Sequence, residues 1–107
     1  MTIINLTPHK LNIQDLGGDF LVVPPSGTIA RVAVSLKETA VLDPGIQIYS
    51  PTYGEVTDLP EPRDGVNLVV SGLVAAAAPR PDVFSPGELI RDEEGKPTGC
   101  RGLKASV

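Results

Sequence analysis

Eleven prolines and eleven glycines are spread through a chain of 107 residues, and most of the apolar runs between them are only four or five residues long. Proline fixes φ and withholds a backbone donor, and glycine supplies positive φ, so few segments are long enough to form a helix. Such a density of turn formers signals disorder when apolar runs are missing. Here they are present, with 41% hydrophobic residues, and the chain reads as short strands separated by turns. The expectation is one domain over 1–107, mainly β, a compact antiparallel sandwich or barrel with one short helix. With two Phe, two Tyr and no Trp, its core must be aliphatic.

The strands follow from local pattern. Thr2 to Leu6 is apolar and ends at Thr7-Pro8-His9, while Lys10-Leu11-Asn12-Ile13-Gln14 alternates polar and apolar. These two segments are expected to form a hairpin or a bent strand pair. Gly17-Gly18 turns the chain into Phe20 to Val23, read as a short buried strand, and Pro24-Pro25-Ser26-Gly27 makes the next turn. From Ile29 onward the period-2 pattern sets Arg31 on the face opposite Val32. Thr39 to Leu42 and Gly45 to Tyr49 flank Asp43-Pro44-Gly45 as a hairpin, with a further strand at Gly54-Glu55-Val56.

Leu59 to Gly65, with two prolines, reads as a rigid loop, and Val66 to Val70 as the most buried strand. Ser71 is placed to cap a helix over Gly72 to Ala78 that Pro79 ends, its alanine face small enough to approach a sheet closely. Pro81 to Gly87 is expected to be a loop. Glu88 to Arg91 and Thr98 to Arg101 form a final hairpin around the charged turn Asp92 to Pro97.

A net charge of −4 argues against duplex nucleic acid or an anionic membrane as partner, since both require a basic surface to displace counterions. Small anions remain open, because a few arginines can converge locally. The single cysteine, Cys100, has no partner for an internal disulfide, and Met1 to Asn5 lacks the regions of a signal peptide, so a cytoplasmic protein is expected. Val66 to Ala78 is interrupted by Asn67, Ser71 and Gly72 and is too short to span a bilayer.

The candidate chemistry centres on His9, the one histidine, which with Thr7 forms a turn where a hydroxyl and an imidazole can meet a phosphate or a reacting proton. Equally, Thr7 caps that turn and His9 closes it. Arg31, Arg80, Arg91 and Arg101 carry planar guanidinium groups that match phosphate oxygens, and Ser71 opens a helix whose first N–H groups are free. Each arginine taken singly also reads as a solvated or structural ion pair, Arg80 with Asp82 and Arg91 with Asp92 or Glu93. Tyr49, Tyr53 and Phe84 can stack a base or plug a core.

Other sites are disfavoured. Cys100, between glycines and beside Arg101, reads more simply as a small apolar residue than as a nucleophile. Ser26 lacks the glycine two residues upstream that a nucleophile elbow requires, and Gly17-Gly18 is not followed by the residues of a phosphate loop. No ligand spacing for a metal is present, and no cofactor is expected.

Asn5-Leu6-Thr7-Pro8-His9, the Pro25-Ser26-Gly27 turn with Ala30-Arg31, Gly54-Glu55-Val56 with Leu59-Pro60-Glu61-Pro62, and the ending from Arg91-Asp92 to Gly99-Cys100-Arg101 together resemble a family of small proteins of tailed phages and prophages. The resemblance covers nearly the whole chain. It implies a viral setting and supplies no catalytic residues. In that setting small accessory proteins often look like inhibitors of host defence, including oligomeric sponges for nucleotide signals.

Three functions follow as expectations. The first is a binding module that sequesters a phosphorylated or nucleotide-like host signal at a subunit interface, lined by Thr7, His9, Arg31, Ser71, Arg80 and Arg101. The second is a phosphodiesterase using His9 as acid or base. The third is a virion or protein-interaction component. A β domain with edges to hide also favours a homo-oligomer.

Overall fold

The short apolar runs rich in β-branched residues form strands, while the alanine-rich one after Ser71 forms a helix. In the computed structural model, which describes residues 2–107, the strands are β1 (Thr2–Asn5), β2 (Leu11–Gln14), β3 (Phe20–Val23), β4 (Arg31–Leu42), β5 (Ile46–Thr57), β6 (Val66–Val69), β7 (Val83–Arg91) and β8 (Pro97–Ala105). One helix, α1 (Gly72–Ala77), follows β6. The protein is mainly β. Six strands make one sheet in the order β1-β6-β7-β8-β2-β3, and β4 and β5 make a separate two-stranded sheet.

The large sheet curls until its two ends nearly meet. Closure runs through Asn5 at the end of β1, whose Nδ2 donates to the carbonyl of Val23 at the end of β3 (3.1 Å) and whose own carbonyl accepts from the Ser26 N–H (3.0 Å). The result is barrel-like, and its pairing is mixed: β1 with β6, β6 with β7 and β8 with β2 run parallel, while β7 with β8 and β2 with β3 run antiparallel.

Two apolar clusters explain which faces are buried. Leu11, Ile13, Val69 and Cys100, with Ile3, Val23 and Leu103 against them, come from five of the six strands and fill the inside of the curl. Leu6, Leu68, Val70, Val74, Ala75, Val83 and Ala30 form the second cluster outside the sheet, where α1 covers it. Consecutive residues of β6 therefore serve opposite clusters, which is why Leu68, Val69 and Val70 are all buried and the run is apolar without alternation. The helix begins as expected: the Ser71 hydroxyl accepts from the Val74 N–H at 3.3 Å.

Four local expectations are corrected. β1 and β2 do not pair with each other, because the Thr7-Pro8-His9 turn carries the chain across the barrel end, leaving β1 on β6 and β2 between β3 and β8. β3 is not buried: it is the last strand of the order, and Phe20, Leu21 and Val22 are each about half exposed. Gly54-Glu55-Val56 is the continuation of β5, which passes through Pro51 in an exposed hairpin. Pro81 to Gly87 is largely strand. β7 pairs with β6 only at Val83 and Phe84, so the donor missing at Pro86 faces a side that β6 has already left. Gly87 lets β7 approach β8, since a Cβ there would collide with the carbonyl of Arg101.

The β4–β5 hairpin is the other departure from a compact barrel. Its root is anchored where Val32 and Val56 pack on the outer cluster, and no residue from 33 to 55 is buried. The Cα radius of gyration is 16.5 Å, against about 13 Å for a compact chain of this length. The hairpin is an arm projecting from the barrel.

Candidate functional site

Chain direction at the barrel end is set by one side chain. Asn5, 1% exposed, accepts from the N–H (2.9 Å) and the hydroxyl (2.6 Å) of Thr7 and donates to the carbonyl of His9 (2.7 Å). All its hydrogen-bonding groups are used inside the protein. Thr7 is buried, its hydroxyl within donating distance of Asn5 Oδ1 and, at 3.1 Å, of the His9 carbonyl, while Pro8, His9 and Lys10 are carried out to the surface. This is the turn-capping role of Thr7; the histidine is left free to face outward.

Beside that turn lies a cavity of about 720 Å³. It opens where β6 gives way to α1 while β7 and β8 continue as a hairpin, so that neighbouring strands part. Thr7, His9 and Lys10 line it from the first turn, Ser71 and Gly72 from the helix start, and Thr98 and Cys100 from β8. Leu11, Leu89, Pro86 and Pro97 make much of its wall apolar. A smaller cavity of about 250 Å³ shares Thr7, Pro8 and Ser71 with it and is lined by Arg31. Three of the residues singled out from sequence, Thr7, His9 and Ser71, thus meet in one cavity, with Arg31 in the adjoining one.

Arg80 and Arg101 line neither cavity. The Arg80 guanidinium grips Asp82 with both arms, Nε to Oδ1 at 2.9 Å and Nη2 to Oδ2 at 2.7 Å, and Nη2 also donates to the carbonyl of Pro60 at 3.0 Å. Hydrogen bonding to Arg80 holds the Asp82 carboxyl below its usual range despite burial, and the same bond raises the Arg80 pKa. With Ser106 bonded to its backbone N–H and carbonyl, Arg80 fastens the Leu59–Gly65 loop and the end of the chain. Arg101 pairs with Glu88 at 3.2 Å on open surface, and Arg91 donates to the carbonyl of Gly95 in its own turn.

Sequence reasoning missed Lys10, Asn12, Leu89 and Thr98 as wall residues. The alternation of Lys10 and Asn12 against Leu11 and Ile13 could have placed the first two on one outward face. Thr98 and Leu89 had no local signal, because they reach the cavity only through the pairing of β8 with β2 and β7. Cys100 belongs to the inner cluster and is 3% exposed. Among the described residues, no group of three or more His, Cys, Asp and Glu is placed to hold a metal ion, and no helix is long and apolar enough to cross a membrane.

No protein-family model, curated protein or solved structure matches this chain.

Proposed function

We propose that the chain is a phage accessory protein acting in the host cytoplasm, where it binds and sequesters a phosphorylated or nucleotide-derived immune signal as part of a homo-oligomer. The observation that carries this reading is the convergence of His9 and Lys10, from the first turn, with Ser71, from the helix start, on one cavity of about 720 Å³. Cationic and hydroxyl groups on the rim suit phosphate oxygens, and the apolar wall of Leu11 and Leu89 suits the face of a base. Arg31, in the adjoining cavity, adds a planar donor set for a second phosphate group. Arg80, held by Asp82, and Arg101, on open surface beside Glu88, line neither cavity, so this reading gives them no part in binding.

The test is native mass spectrometry of the chain after mixing with a nucleotide extract from phage-infected cells. Retained nucleotide is expected, lost with His9→Ala and Lys10→Ala together, kept with Arg101→Ala, and recovered intact on heating. Recovery of a cleaved product would instead make the chain a phosphodiesterase with His9 as its acid or base. Retention of no phosphorylated compound, with co-purification on virus particles, would sink the binding reading in favour of a virion component.

A further inference from the structure

The β4–β5 arm has an apolar face that covers nothing. Pairing of Val34 with Tyr53, Leu36 with Pro51 and Glu38 with Tyr49 puts these six on one face. Past the register shift at Thr39, Val41 and Gln47 continue it. Ser35, Lys37, Ser50 and Thr52 occupy the other face over the root half, where the Thr52 hydroxyl donates to the Ser35 carbonyl, and Ala40, Ile48, Leu42 and Ile46 occupy it toward the tip. The root half of the arm is therefore amphipathic, yet Leu36 is 66% exposed and Tyr49 51%. A half-buried strand pattern without the burial marks a surface that lacks its partner. Glu38 is the one charged residue on this face.

We infer that this arm pairs with the arm of a second copy of the chain, apolar face to apolar face and antiparallel about a two-fold axis. Two strands alone are marginal in water, whereas two arms together supply four strands and a shared apolar layer. The strip suits self-pairing by its layout: Val34 and Tyr53 lie toward the root, Leu36 and Pro51 near the middle and Val41 toward the tip, so antiparallel docking sets root against tip and middle against middle. The exposed side chains of this face amount to roughly 500 Å² per copy, so their full burial by two copies removes about 1,000 Å², the least that a biological interface has to clear and the size of a weak, concentration-dependent one. The apolar strip also runs on from Val32, which already packs on the outer cluster, so the contact extends an existing core.

The inference deepens the oligomeric part of the proposed function and is independent of the ligand. It is tested by light scattering of the full chain at micromolar concentration, with hydrogen exchange of residues 33–55. The expected mass is at least two chains. Leu36→Glu should lower it at least twofold while the far-UV circular dichroism of the barrel persists, and Lys37→Glu on the polar face should leave it unchanged. Leu21→Glu, on the rival exposed strip of β3, should also leave it unchanged. Should Leu36→Glu fail to fold, dilution of the wild-type chain replaces it: exchange of 33–55 should quicken on dissociation, while β6 stays protected. An oligomer dispersed by Leu21→Glu and not by Leu36→Glu overturns the arm as the interface but leaves oligomerisation standing. A wild-type monomer at every concentration overturns both, and a ligand retained by that monomer would still support the cavity.

Discussion

Asn5 and Thr7 are bound to each other twice, through the Thr7 N–H at 2.9 Å and the Thr7 hydroxyl at 2.6 Å, both onto Asn5 Oδ1. The other end of the same amide donates to the carbonyls of His9 and Val23, so one side chain joins β1, the first turn and the end of β3. Asn5→Ala strands the buried Thr7 N–H and hydroxyl and leaves the partly buried carbonyls of His9 and Val23 without their donor. Each unmet buried group costs about 1–3 kcal/mol, and with partial relaxation the loss should be about 3 kcal/mol. Asn5→Asp should cost a similar amount, because a carboxylate oxygen then faces two carbonyls. Urea unfolding checks both, with a lowered midpoint and an unchanged slope expected.

Two glycines should respond in opposite directions. Gly87→Ala forces a methyl group into the β8 backbone at Arg101 and should cost roughly 2 kcal/mol by overpacking. Gly72 opens α1 with free space around its Cα, so Gly72→Ala should stabilise by about 0.5–1 kcal/mol through the reduced entropy of the unfolded chain. Thermal unfolding of the two variants side by side reads the difference.

What was legible in the sequence was whatever neighbouring residues decide. Ser71 before an alanine run gave the helix and its cap, Asp43-Pro44-Gly45 gave the hairpin turn, and the unbroken run at Leu68-Val69-Val70 gave the strand buried on both sides. Partnership between distant strands was not legible. Nothing near Leu6 says that β1 will pair with β6 sixty residues on, and nothing near Phe20 says that its strand will be last in the order. The site divides the same way. Thr7 and His9 stood out by type and spacing, whereas Thr98 and Leu89 reach the cavity only because β8 lies beside β2. Asn5 was read as one letter of an opening motif, and its role appears only once Val23 is seen across the closure.

Arg101→Ala should leave stability within about 0.5 kcal/mol of the parent, because its pair with Glu88 has both side chains more than half exposed and water screens it. Guanidinium denaturation measures this directly. A loss of several kcal/mol would mean that Arg101 does more than meet Glu88.

Arg80 and Asp82 differ from that pair because their side chains are only 24% and 17% exposed and they meet by two hydrogen bonds. The bond from Arg80 lowers the folded-state pKa of Asp82, so the folded chain holds this proton less readily than the unfolded one. Its contribution is therefore complete above the unfolded carboxylate value near 4 and is lost as the pH falls through the lower folded value. Arg80 remains protonated throughout and adds no slope in that range. Asp82→Asn keeps the shape and removes the charge, and at pH 7 it should cost about 1–2 kcal/mol, as expected for a charge-assisted bidentate pair that is partly shielded. The gap between parent and variant should stay constant from pH 7 to about 5 and narrow below about 4. Urea midpoints measured across that range give the test, and a gap that widened toward acid would show that the pair does not stabilise the loop it joins to Pro60.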